Sequence, residues 1–284
     1  MPSSNEADPY FLPRGDIEFE RLNKQHVIYT KHVYDNRLVF DETIALHETD
    51  CVLDAGAGTC IWSIDLSREV PESVQIYATD ISAGSFPPVE TMPSNVHTSI
   101  ASSTSFPPEW SNKFTLVHQR LLFGGLRESE WPVAISEMFR ILKPGGAIQL
   151  MEVRISEPVG PSMAEFDGIL VEFFKKRGLL HDIDLRLEVL AADAGFTHIT
   201  AKKKDVLIGR KWAELGESEY LQDLKPLVGG LVNLSPALLG EGLIRSDAEY
   251  RALLVEMEKE WDAYGNRFWT ALLQLEMVIR ECRD

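Results

Sequence analysis

The feature that most constrains the fold is a series of short apolar runs separated by stretches of helical period. Cys51-Val52-Leu53-Asp54 is followed by Gln75–Asp80, Val96–Ala101, Phe114–Gln119 and Ala147–Val153. Between them, Ile61–Val70 and Trp131–Leu142 repeat apolar residues at helical spacing, as in Ile135, Met138, Phe139 and Leu142. Runs that are apolar on both faces read as buried parallel strands, and parallel strands need crossovers that cover the sheet on both sides. The expected fold class is therefore α/β, a Rossmann-like, doubly wound, mainly parallel sheet.

Helices flank this core in the sequence. Asp16 reads as an N-cap for a helix reaching about Val33, with a second short helical stretch before Cys51. Two helices are expected over Met163–Gly178 and Asp184–Gly195, then a half-exposed strand over Thr197–Ile208. From Lys211 to about Glu260 the chain is helical and Leu-rich, broken at Val228-Gly229-Gly230. Arg267–Val278 reads as a strand continuing into a short helix. The expected organisation is an N-terminal helical cap over 1–50, a ligand-binding core over 51–210, and a helical lid with a final sheet element over 211–284.

The chemistry-bearing stretch is Val52-Leu53-Asp54-Ala55-Gly56-Ala57-Gly58-Thr59-Cys60, a glycine turn between strand and helix. Such a turn lets backbone approach a ligand at the carboxyl ends of the strands. Asp80, 26 residues after Asp54, ends the next strand, where a carboxylate can accept both hydroxyl hydrogens of a ribose. A dinucleotide is the alternative ligand, but its fingerprint wants a third glycine where this chain has Ile61, and Asp54 sets a carboxylate at a turn a pyrophosphate would avoid. The pattern favours a ligand with a cationic amine and a ribose but no phosphate, as in S-adenosylmethionine.

Charge narrows the partners. With 28 Lys+Arg against 44 Asp+Glu the net charge is −16, which disfavours nucleic acid. The basic run Lys202-Lys203-Lys204 falls in a strand and reads as a solvated edge. Three scattered cysteines make neither a disulfide framework nor a zinc site, so no metal is expected. No leader pattern or long apolar run is present, and the expectation is a cytoplasmic protein with no membrane partner.

These motifs resemble class I S-adenosylmethionine-dependent methyltransferases: Val52–Gly58, the acidic Ala78-Thr79-Asp80-Ile81-Ser82, Phe114–Arg120, and Leu142-Lys143-Pro144-Gly145-Gly146. More narrowly, Tyr10-Phe11-Leu12-Pro13 with Asp16, Glu18, Arg21, Leu22, Gln25 and His26, then Ile61–Asp65, Ser235-Pro236 and Ser246, resemble the fungal LaeA-like methyltransferases of secondary metabolism. The resemblance implies that Asp54 faces the methionine ammonium, Ala55, Gly56 and Gly58 line the cofactor with backbone, Asp80 holds the ribose and Ile81 packs on adenine. Ser102 and Ser103 stand where many members carry an acidic residue for the adenine amine, so a hydroxyl or main chain serves there. Thr115 replaces the common Asp after Phe114.

Methyl transfer to a phenol or alcohol calls for a base near neutral pH. Of seven histidines, His118 and His26 are the expected catalytic residues, with Gln119 orienting substrate or cofactor and His181-Asp182 a weaker pair in a solvated loop. The aromatic set Tyr29, Phe173, Phe174, Trp212, Tyr264, Phe268 and Trp269 is assigned mostly to packing. No Asn-Pro-Pro-Tyr follows the fourth strand. The expected function is O-methylation of a small-molecule secondary metabolite. The competing expectations are a cofactor-binding regulator acting through protein partners, and a methyltransferase fold recruited to a non-methylating reaction.

Overall fold

The structure is a computed structural model that describes residues 15–155, 157–217, 220–221 and 225–276. Its core is a seven-stranded sheet built from β1 (Cys51–Ala55), β2 (Gln75–Asp80), β3 (Val96–Ile100), β4 (Phe114–Arg120), β5 (Leu142–Ile155), β6 (Thr197–Ile208) and β7 (Asn266–Glu276). The order is β3-β2-β1-β4-β5-β7-β6. The first five strands pair in parallel, and β7 runs antiparallel between β5 and β6.

Strand alternation divides the core. Val52 packs with Trp62, Leu66, Ile76 and Leu116 on one face, while Leu53 and Ala55 pack with Trp131, Ile135 and Met138 on the other. The covering helices are α2 (Ile61–Glu69) on the first face, and α3 (Trp131–Ile141) and α5 (Ile183–Ala194) on the second. A third cluster joins α4 (Pro161–Arg177) to α8 (Ser235–Gly240) and α9 (Asp247–Tyr264), through Met163, Phe166 and Phe173 against Leu238, Tyr250, Leu254 and Trp261. Two further helices, α1 (Asp16–His32) and α7 (Lys225–Val232), close over the carboxyl ends of β1 and β4; α6 (Lys211–Glu214) is a single turn.

Several local expectations change. Gly15, not Asp16, caps α1, and Asp16 sits in the first turn, where its charge complements the helix dipole. No second helix forms before Cys51. Residues 33–50 run as turns, because buried side chains capture their backbone: Gln149 accepts from Phe40 N–H at 2.7 Å and donates to Leu38 O at 3.0 Å, and Trp62 Nε1 donates to the same carbonyl. Gly229-Gly230 does not break its helix but lies inside α7, where Arg21 packs on both glycines. The Leu-Lys-Pro-Gly-Gly turn is an irregularity within β5, where pairing with β4 jumps from Phe114↔Leu142 to Leu116↔Ala147. β7 is a strand as read, and the short helix expected after it lies outside the described residues, as do Tyr10–Pro13.

β6 is an edge strand, and the Lys run sits on it, with Lys204 paired to Asp35 and the Lys202 ammonium over the Phe40 ring at 4.4 Å. Charge at an edge discourages further strand pairing. Among the described residues no helix is long and apolar enough to cross a membrane.

Candidate active site

The chain leaves β1 to build β2 and β3 outward, then returns on the other side of β1 as β4. That reversal opens a crevice beyond the carboxyl ends of β1 and β4. A cavity of about 570 Å³ fills it, within the range of small-ligand sites.

Its floor is the glycine turn. Gly56 and Gly58 have φ of 70° and 54°, the left-handed region where a side chain is strained. A Cβ on Gly56 would also lie 2.9 Å from the Leu122 side chain. Beside the turn, the Asp80 carboxylate accepts from Gly58 N–H at 3.0 Å and Ser82 N–H at 3.1 Å. Asp80 lines the cavity, and a carboxylate oxygen can accept more than one hydrogen bond. Gly56, Gly58, Ile81, Ser102 and Ser103 line the same cavity.

Four of the expected residues are elsewhere. Asp54 is 3% exposed and points beneath the turn, accepting from Ser63 Oγ at 2.8 Å and from His118 Nδ1 at 2.8 Å. His118 is fully buried and stacks on Trp62 with ring centroids 3.8 Å apart. Burial holds its pKa below the ordinary value despite Asp54, and among the described residues its Nε2 has no hydrogen-bond partner. Ala55 belongs to the core cluster under α3. Gln119 is buried, with Oε1 unpaired among the described residues. None of the four lines the cavity. Strand alternation accounts for Asp54, His118 and Gln119, which precede the ends of β1 and β4 and so face one helix layer or the other, while Ala55, the last residue of β1, turns its methyl into the core under α3.

His26 does line the cavity, reaching it from α1. Its Nδ1 lies 2.9 Å from Arg120 Nη2, and its Nε2 lies 3.0 Å from Asp65 Oδ2. A guanidinium only donates, so Nδ1 accepts and Nε2 carries the proton that Asp65 accepts. Burial first, then Arg120, push the His26 pKa down to about 4. His26 is thus a neutral imidazole with both nitrogens engaged. Arg120, the last residue of β4, received no role from the sequence; an arginine closing a run as apolar as Phe114–Val117 was the available signal.

The opposite walls are largely apolar: Leu121, Leu122 and Phe123 after β4, Leu170 and Phe174 from α4, Leu227 and Leu231 from α7. Leu121, at φ 57°, turns the chain sharply out of β4. Buried Glu152 on β5 ties this turn down, accepting from Leu122 N–H at 2.9 Å and Phe123 N–H at 3.1 Å. Burial outweighs those two donors and pushes its pKa up to about 8. The end of α7 is tied to α1: Arg21 makes a two-pronged pair with Glu18, and Asn233 Nδ2 donates to Glu18 at 2.9 Å. Of the aromatic set, Tyr29 and Phe174 line the cavity, Phe173 is core, Trp212 Nε1 donates to Asn266 O, and Tyr264 is exposed. The Phe268 and Trp269 side chains lie outside the described residues. His181 is exposed and lines the cavity, with Glu157 and Asp167 also on its wall.

Residues 52–146 match a methyltransferase domain family. Over nearly the whole chain the protein is similar to the N-methyltransferase sirN of Leptosphaeria maculans, 30% identical with 94% of this chain and 92% of the relative covered. It is also similar to the N-methyltransferase verN of Clonostachys rogersoniana, at 25% identity with 92% and 90% covered. The secondary metabolism regulator laeA of Monascus pilosus is 26% identical over 51% of this chain and 37% of its own length. Among solved structures, phosphoethanolamine N-methyltransferase 2 of Haemonchus contortus superposes with a TM-score of 0.52 at 15% identity. That match covers 90% of this chain but only about half (53%) of the other, and it speaks to fold alone.

Proposed function

This chain belongs to the S-adenosylmethionine-dependent methyltransferases, and from that premise we propose that it methylates a nitrogen of a small, mostly apolar metabolite. S-adenosylmethionine supplies an electrophilic methyl on a sulfonium, so the protein's tasks are to align a nucleophile and exclude water. The glycine turn and Asp80 fit that cofactor: bare backbone on the floor and a carboxylate beside it on the cavity wall. In this reading Asp80 accepts the ribose hydroxyls, Ile81 packs on adenine, Ser102 and Ser103 meet its edge, and Gly56 and Gly58 admit the methionine. Asp54, with His118 and Ser63 on its two oxygens, holds the turn from beneath.

The observation that carries the nitrogen assignment is the engaged state of His26. An oxygen acceptor must lose its proton as the methyl arrives, and of the two histidines on the cavity wall the buried one, His26 on α1, has its lone pair filled by Arg120, while His181 is exposed. A neutral amine attacks with its own lone pair and sheds a proton afterwards. Apolar walls with Glu157 and Asp167 suit such an acceptor, and the similar proteins sirN and verN carry N-methyltransferase names. This departs from the oxygen acceptor the sequence suggested.

The test is label transfer from methyl-labelled cofactor to pairs of compounds sharing one ring scaffold, one bearing an amine and the other a phenol. Label on the amines supports the assignment, and label confined to the phenols refutes it. Cofactor binding without transfer to any acceptor favours the regulatory reading that the laeA similarity supports.

A further inference from the structure

Three guanidinium groups line the cavity, and two already face carboxylates: Arg21 grips Glu18 with two bonds, and Arg154 lies 3.5 Å from Asp184. Arg120 differs. Its one hydrogen-bond partner among the described residues is the neutral imidazole of His26, and its Nη1 is buried with none. An arginine keeps its charge at any physiological pH, and an imidazole does not neutralise it. Arg120 is half-buried on the cavity wall, and a guanidinium partly withdrawn from water with no carboxylate against it among the described residues lacks the counter-ion that offsets its desolvation, which suits it to an anion that arrives later. The group is also aimed, since Asp65 accepts from His26 and thereby fixes the lone pair that receives Arg120 Nη2.

Its position identifies the anion. Ala55 pairs with Gln119, which sets Arg120 beside Gly56 at the same sheet edge. Asp80, on β2, is two strands away, about 10 Å at ordinary strand spacing. A ligand whose ribose sits on Asp80 and whose chain crosses the glycine turn delivers its amino-acid end to β4. We infer that Arg120, oriented by His26 and Asp65, binds the α-carboxylate of S-adenosylmethionine by a charge-assisted, fork-shaped contact. This rests on the cofactor placement proposed above. It gives His26 the part of a positioning residue and leaves the acceptor pocket uncharged on this side.

Titration calorimetry with two ligands tests it. S-adenosylhomocysteine carries the carboxylate, and 5′-methylthioadenosine has the same adenosine and sulfur without the amino-acid tail. Arg120→Gln is expected to weaken S-adenosylhomocysteine roughly 10- to 100-fold, the worth of hydrogen bonds between charged groups, and to leave methylthioadenosine within about twofold. Arg120→Lys, which keeps the charge but loses the fork, should lose less in the same direction, and it stands in should the glutamine variant fail to fold. Equal losses for both ligands, or no loss for either, would overturn the subsite while leaving the cofactor site standing. Wild-type protein that binds neither ligand would remove the cofactor placement and the subsite together.

Discussion

The two sides of the cavity are built differently. The strand-end side, from the glycine turn across β2 to Ser102 and Ser103, is backbone and short polar side chains fixed by the sheet. Beneath it lies a sealed polar cluster of Asp54, Ser63 and His118 stacked on Trp62. The helical side is assembled from long side chains on α1, α4 and α7, with α1 and the end of α7 joined by the Glu18, Arg21 and Asn233 network. On the placement proposed above, cofactor recognition falls on the part that cannot move without breaking the sheet, and acceptor recognition on helices whose joints are a few side-chain contacts.

The largest effect should come from breaking the support under the rigid side. His118→Ala removes a ring stack and leaves a buried carboxylate short of a donor, and should cost about 3 kcal/mol of unfolding free energy in urea titrations. If His118 were instead a base in the reaction, the variant would lose turnover with little loss of stability. Next is Asp80→Ala, which should weaken S-adenosylhomocysteine by about 2 kcal/mol in titration calorimetry. An unchanged affinity would mean that the ribose is held elsewhere.

Glu152 gives a pH signature at the turn between the two sides. Between the unfolded carboxylate value, about 4.3, and the folded value of about 8, the folded state keeps a proton that the unfolded chain has released. Stability contributed by this group therefore falls as pH rises across that window and levels off above it. Glu152→Gln keeps an acceptor for one of the two N–H groups and abolishes the titration, so, whatever its offset in stability, the wild type should lose ground to the variant from pH 5 to pH 8 in denaturant midpoints. Parallel curves would contradict the buried, protonated carboxyl. The smallest effect belongs to the lid: Asn233→Ala should cost about 1 kcal/mol and raise amide exchange in 225–232 while that of β1 and β2 stays unchanged. Equal increases in both regions would erase the distinction between the two sides.

Much of this was legible locally. The bounds of β2 and β6 were legible residue for residue, β2 as a short apolar run closed by turn residues and β6 as a polar–apolar alternation of strand period. Asp80 and the two glycines stand on the cavity floor, since strand end and positive φ are local properties. The helical break at Gly229-Gly230 was misread because glycine's poor propensity there is overridden by Arg21, whose side chain fills the space a Cβ would crowd. The helix expected before Cys51 lost to Gln149, more than a hundred residues away.

What the sequence by itself determined was the periodicity, the strand-turn-helix joints and the glycines, hence the sheet, its crevice and the motifs that resemble a methyltransferase. Tertiary structure decided which polar residues reach that crevice. His118 and Arg120 are two residues apart on one strand, yet the first is sealed by Trp62 and Asp54 while the second meets His26, 94 residues distant in the chain. The spacing of residues along a strand fixes which face each one takes. Whether that face meets a packed helix or an open cavity depends on where α1 and α2 come to rest, and the packing of the whole chain sets that.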